Sequence, residues 1–154
     1  MSDKKIVVLY VDDEENNLIS FKANFRMKYQ VLTAISGDDA LKIMEGKAVD
    51  IIITDQRMPN MTGVEFLEKV LEKFPEPMRI LLTGYADMSA VIDAVNKGKI
   101  FHYLTKPWNE EELDMTIKRA YDVYLERKEI ELMNQKLATS NDQLEFLLRQ
   151  KLLS

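Results

Sequence analysis

Val49-Asp50-Ile51-Ile52-Ile53-Thr54-Asp55-Gln56-Arg57-Met58-Pro59 is the stretch that decides how this chain folds. A short apolar run bounded by turn residues has the pattern of a strand buried on both faces. Such strands belong to parallel sheets covered by helices. Asp55 stands where the run ends. In open parallel sheets, ligands bind in the crevice beyond the carboxyl ends of the strands. A carboxylate there needs a counter-charge, a metal or a reaction to occupy it.

Outward from this run, strand and helix patterns alternate. Residues 6–11, 29–34, 49–54, 78–82 and 100–105 read as strands. Between them, Leu18, Phe21 and Phe25 recur at helical spacing within 15–28, and Ala40, Leu41 and Met44 within 38–45. Val64, Leu67, Val70 and Leu71 do so within 62–74, and Val91, Ile92 and Val95 within 87–97. Pro75 and Pro77 punctuate the third helix, and Gly98 closes the fourth. Five βα units predict an α/β fold, a doubly wound five-stranded parallel sheet flanked by five helices. The crossovers should be right-handed.

Composition narrows the function. The chain has 154 residues, 46% of them apolar, enough for one domain and an appendage. It has no cysteine and one histidine, His102, which excludes disulfides, thiol nucleophiles and multi-histidine metal sites. A net charge of −5 without a Lys/Arg block argues against direct nucleic-acid binding. Gly63, Gly84 and Gly98 are isolated and build no phosphate cradle. The apolar run at 6–11 is too short to span a membrane and lacks a signal-peptide pattern. These features predict a soluble cytoplasmic protein with no membrane partner. The nine methionines read as core gap-fillers.

Four predicted strand ends carry chemistry. Asp12-Asp13-Glu14-Glu15 follows the first, Asp55 the third, Thr83-Gly84 the fourth and Lys106-Pro107 the fifth. Carboxylates gathered on one sheet edge repel one another and call for a hard divalent cation such as Mg²⁺. A hydroxyl and an ammonium opposite them suit a phosphoryl group. Together they point to phosphoryl transfer onto a carboxylate. Each residue alone has a plainer reading. The acidic pair caps a helix, Thr83 sits in a turn, Lys106 is solvated, Tyr103 packs, Trp108 anchors the fifth helix, and His102 is a strand residue facing solvent or that helix.

With these motifs in this order, residues 6–126, about four-fifths of the chain, resemble the receiver domain of two-component response regulators, a flavodoxin-like fold. The resemblance implies that Asp55 accepts a phosphoryl group from a sensor histidine kinase. Mg²⁺ would be held directly by Asp13, Asp55 and the backbone carbonyl of Arg57, and through water by Asp12. Lys106 would pair with a phosphoryl oxygen and Thr83 would move to bond another. Tyr103 would turn inward with Thr83, and the Lys106–Pro107 bond would be cis. Such a protein is a phosphoacceptor switch rather than an enzyme. Trp108 stands where Phe is commoner, and the 96–99 loop is slightly long for the family. Arg57 and Tyr85 flank the site, which predicts slow self-dephosphorylation. The segments Asp55-Gln56-Arg57-Met58-Pro59 and Leu82-Thr83-Gly84-Tyr85-Ala86-Asp87 resemble receivers fused to signalling enzymes, including cyclic-dinucleotide hydrolases.

The last helical pattern begins near Asn109-Glu110-Glu111 and continues past the receiver. Val123, Ile130, Met133, Leu137, Leu144 and Leu147 fit the a and d positions of one heptad frame, broken by Glu126 and Ser140. The expected organisation is a receiver at 1–124 and a helical, coiled-coil extension at 125–154 that forms a homodimer. Ser140-x-x-Gln143 predicts a capping box restarting the helix after a polar interruption. No output domain is recognisable, so the chain either acts through protein contacts or is a fragment of a longer regulator. Two other readings are a Mg²⁺-dependent aspartyl phosphohydrolase and a non-switching coiled-coil scaffold. The first is disfavoured because the aspartyl-nucleophile class carries D-x-D after the first strand, where this chain has an adjacent pair.

Overall fold

The computed structural model describes residues 4–153, the side chain of Tyr85 excepted. Its strands are β1 (Val7–Val11), β2 (Gln30–Ala34), β3 (Ile51–Asp55), β4 (Met78–Thr83) and β5 (His102–Thr105). Its helices are α1 (Glu15–Phe25), α2 (Gly37–Gly46), α3 (Gly63–Lys73), α4 (Met88–Asn96) and α5 (Glu110–Leu153), with a 3₁₀ turn at Tyr85–Asp87. All strand pairs are parallel, in the order β2-β1-β3-β4-β5. The chain therefore winds outward in both directions from β1 and β3, and the crevice opens where the direction reverses.

The burial pattern explains the layering. Every residue of β1, β3 and β4 is buried, whereas the edge strands β2 and β5 mix buried residues with partly or fully exposed ones. Helices supply the cover. Leu18, Phe21 and Phe25 form the inner stripe of α1, Phe66, Leu67 and Val70 that of α3, and Val91 and Ala94 that of α4. Each fully buried large side chain contributes about 1.5–3 kcal/mol. Caps fix the helix starts. Ser36 Oγ accepts from the Asp39 amide at the head of α2. Thr62 and Glu65 exchange side-chain and backbone bonds of 3.2 and 3.1 Å at the head of α3.

Several boundaries differ from the expectations. Asp55 and Thr83 are the last residues of β3 and β4 rather than the first beyond them. Helix α1 stops at Phe25, not Lys28, because the amides of Lys28 and Tyr29 both fold back to the Phe25 carbonyl at 3.0 and 2.9 Å. Gly98, at φ +72°, takes the left-handed conformation that ends α4. Of the methionines, Met44, Met58, Met61 and Met78 are buried, but Met27, Met115 and Met133 stand exposed and fill no core.

The described residues form two compact units that divide between Tyr121 and Asp122. In the second unit, α5 runs unbroken through residues 138–142, so the expected restart at Ser140 does not occur. Thr139 Oγ1 bonds the Gln135 carbonyl at 3.0 Å, which satisfies the hydroxyl inside a continuing helix. Ile130, Met133, Leu137, Leu144 and Leu147 are all exposed. No helix among the described residues is long and apolar enough to cross a membrane.

Candidate functional site

Register brings the acidic residues together. Val11 pairs with Thr54 across β1 and β3, so the next residues, Asp12 and Asp55, are neighbours. Asp55 pairs with Leu82, and Thr83 with Thr105, which sets Thr83 and Lys106 on the other side. The Lys106 amide donates to the Thr83 carbonyl at 2.9 Å. One carboxylate oxygen each from Asp12, Asp13 and Asp55 lies within 4.8 Å of the others. Lys106 Nζ reaches Asp55 Oδ1 at 2.5 Å.

Asp12 is fully buried and closely held. Its Oδ2 accepts from the Tyr10 hydroxyl at 2.9 Å and Asn17 Nδ2 at 3.1 Å, and its Oδ1 from the Glu14 amide at 3.0 Å. Burial first, then the Asp12 charge, pushes the Tyr10 hydroxyl's ionisation far up, so it stays a donor. Asp55 is 6% exposed. Burial raises its carboxyl pKa most, the hydrogen bond and charge of Lys106 oppose this, and Asp12 and Asp13 add to the rise. Among the described residues the three converging carboxylates gather without a histidine or cysteine ligand and make an all-oxygen set. That chemistry fits a hard divalent cation of the Mg²⁺ class.

The loop after β3 is fixed by Gln56, which is 6% exposed. Its amide donates to the Leu82 carbonyl, its carbonyl accepts from the Gly63 amide, and its Oε1 accepts from the Val64 amide at 2.9 Å. Gly63 must be glycine here. A Cβ would lie 2.5 Å from the Asp55 carbonyl oxygen and 2.6 Å from Leu81 Cδ1. Sequence reasoning missed the roles of Tyr10, Asn17 and Gln56. The signal for Tyr10 was present: residues two apart on a strand share a face.

The other expected residues are distributed as follows. Thr83 is buried and its hydroxyl donates to the Gly84 carbonyl at 3.1 Å. Tyr103 is partly buried and packs against the core cluster. Arg57 is exposed, and its Nε bonds Asp87 Oδ2 at 3.1 Å, tying the loop after β3 to the turn after β4. Tyr85, expected to flank the site with Arg57, has its side chain outside the described residues. The Lys106–Pro107 peptide is cis. Lys106, Pro107 and Trp108 line a cleft of about 430 Å³ with Tyr10, Asn17, Ser20 and Phe21. His102 is half-buried; burial and then Arg119 of α5 lower its pKa, partly offset by Glu112.

Known proteins agree with this geometry. The family model described as the response regulator receiver domain matches residues 8–118. The hydrogenase transcriptional regulatory protein HoxA of Cupriavidus necator is 37% identical over 154 residues, covering 100% of this chain and 32% of its own length. The chain thus spans about a third of that relative. A solved response regulator receiver domain protein from Clostridium thermocellum superposes with a TM-score of 0.73 at 32% identity, covering 81% of this chain and 98% of that one. A solved structure described as adenylate cyclase from Rhodopirellula baltica gives a TM-score of 0.80 at 31% identity, with 84% and 98% covered. Phosphorylation on aspartate and Mg²⁺ at an acidic pocket are typical of receivers, and the fold, the match and the acidic pocket agree that the chain belongs to the response regulator receiver domain family.

Proposed function

We propose that residues 1–124 act as a cytoplasmic phosphoacceptor switch and that residues 125–154 transmit its state as a helical extension. The observation that carries this reading is the pairing of buried Asp55 with Lys106, beside the carboxylates of Asp12 and Asp13. An Asp55 oxygen forms the new O–P bond as the N–P bond of a sensor histidine kinase's phosphohistidine breaks and the imidazole leaves. Lys106 transfers its ammonium from the Asp55 carboxylate to a phosphoryl oxygen. Asp13, Asp55 and the Arg57 carbonyl would hold Mg²⁺ directly, with Asp12 acting through water. Bound there, Mg²⁺ neutralises charge on the phosphoryl oxygens.

Thr83 gives up the Gly84 carbonyl to bond the phosphoryl group, and Tyr103 turns inward in the same motion. A phosphoryl group adds about −1.5 to −2 charge and strong acceptors, enough to bias such a two-state loop. The chain's own chemistry is limited to taking and losing that one group. Its partners are a sensor histidine kinase, a second copy through the α5 extension, and an output domain or protein target. No direct contact with nucleic acid is part of this reading.

The test is intact mass and light scattering after acetyl phosphate with Mg²⁺, on native protein and Asp55→Asn. An added phosphoryl mass that the variant lacks supports Asp55 as acceptor, and a concurrent size change ties the switch to the extension. Equal uptake by both proteins would overturn the assignment.

A further inference from the structure

Tyr10 is held from two sides. Its ring is buried and stacks on Phe21 of α1, with centroids 4.2 Å apart and planes 4° from parallel. Phe21 is backed in turn by Phe25 at 4.7 Å. With the ring fixed, the hydroxyl has one partner among the described residues, Asp12 Oδ2 at 2.9 Å. A carboxylate offers about four lone-pair sites. Tyr10, Asn17 and the Glu14 amide take three of those on Asp12, leaving one for a cation-bound water.

We propose that Tyr10 is a positioning residue of the acidic pocket: its hydroxyl locks the Asp12 carboxylate in one orientation and thereby sets the pocket's affinity for Mg²⁺. Tyr10 touches no ligand itself and acts through Asp12. A phenylalanine would keep the stack on Phe21 but leave Oδ2 one donor short, and the buried carboxylate could swing about its broad terminal torsion. Outer partners of metal-ligating groups change metal affinity by about 10–100-fold. The inference rests on the Mg²⁺ reading of the pocket, and the experiment separates the two.

Mg²⁺ alone is titrated into the full chain and followed by calorimetry and by emission of the single tryptophan, Trp108, which lines the same cleft as Tyr10. Three proteins are compared: native, Tyr10→Phe and Tyr29→Phe. Tyr29 is the internal control, since its hydroxyl bonds a different carboxylate, Asp114, outside the acidic cluster. Tyr10→Phe is expected to weaken Mg²⁺ binding about tenfold, and Tyr29→Phe to leave it unchanged. Asn17→Ala, which removes the other donor on Oδ2, should weaken binding in the same direction and serves if Tyr10→Phe does not fold. Native affinity in Tyr10→Phe overturns the inference and leaves the Mg²⁺ reading intact. Equal losses in both tyrosine variants overturn it in favour of general loosening. No Mg²⁺ response by the native protein overturns both.

Discussion

Lys106 sets its ammonium 2.5 Å from Asp55 Oδ1, the only counter-charge in contact with a carboxylate that also faces Asp12 and Asp13 among the described residues. Burial nevertheless keeps the Asp55 pKa above its ordinary value of 3.8. Between that value and the raised one, the folded state holds a proton that the unfolded chain has released. Stability therefore falls as pH rises through this window. Asp55→Asn removes the slope. In metal-free urea melts, the two proteins should converge near about pH 4 and separate toward pH 7, with the Asn variant more stable there. Lys106→Ala should lose about 1 kcal/mol, a figure kept small because the lysine is partly solvated, and only above the Asp55 titration.

Gly63→Ala tests the close approach behind the site. The new Cβ would meet backbone at Asp55 and Gln56 as well as Leu81, and backbone gives less readily than a side-chain end. A loss of about 1–3 kcal/mol is expected from overpacking, with a shift in the amide resonances of Asp55 and Gln56. Chemical denaturation and NMR on the variant measure both.

Asp114 of α5 should produce the opposite pH trend. Burial pushes its pKa up, but the Tyr29 hydroxyl and Lys118, followed by Lys28, outweigh it and hold the carboxyl below the ordinary range. A lowered pKa contributes stability that is full above the unfolded value, about 3.9, and fades as pH falls through the folded one. Asp114→Asn should be less stable than native at neutral pH, and the gap should close in acid. A pH series of thermal melts resolves this.

The extension can be tested separately. Ile130, Leu137 and Leu144 repeat at seven-residue spacing and are exposed on the described helix. Leu137→Lys puts charge into that seam and should convert a dimer into a monomer by light scattering. An unchanged mass would remove the seam as the dimer contact. The melt of the receiver should be unaffected, since Leu137 lies in the other compact unit.

The sheet and its helices were legible because β1, β3 and β4 are buried on both faces and leave long apolar runs, while the helices leave 3.6-residue stripes. The acidic cluster was legible because residues ending adjacent parallel strands must meet. What stayed hidden depended on side-chain reach. Tyr10 reads as one more core aromatic until its hydroxyl finds Asp12, and Gln56 as an ordinary loop residue until its side-chain oxygen caps the start of α3. Helix ends were misjudged by a residue or more where turns competed, as at Lys28. Ser140 misled because its short polar neighbourhood mimics a cap while the backbone continues as helix.

Asp12 and Asp55 are rooted on β1 and β3, each hydrogen-bonded to a neighbour on both sides, whereas Lys106 follows β5, a four-residue border strand bonded on one side only. Charge is thus anchored on strands bonded from both sides and answered from a strand bonded on one. A change of charge at Asp55 is therefore expected to displace that singly bonded border more readily than β1 or β3.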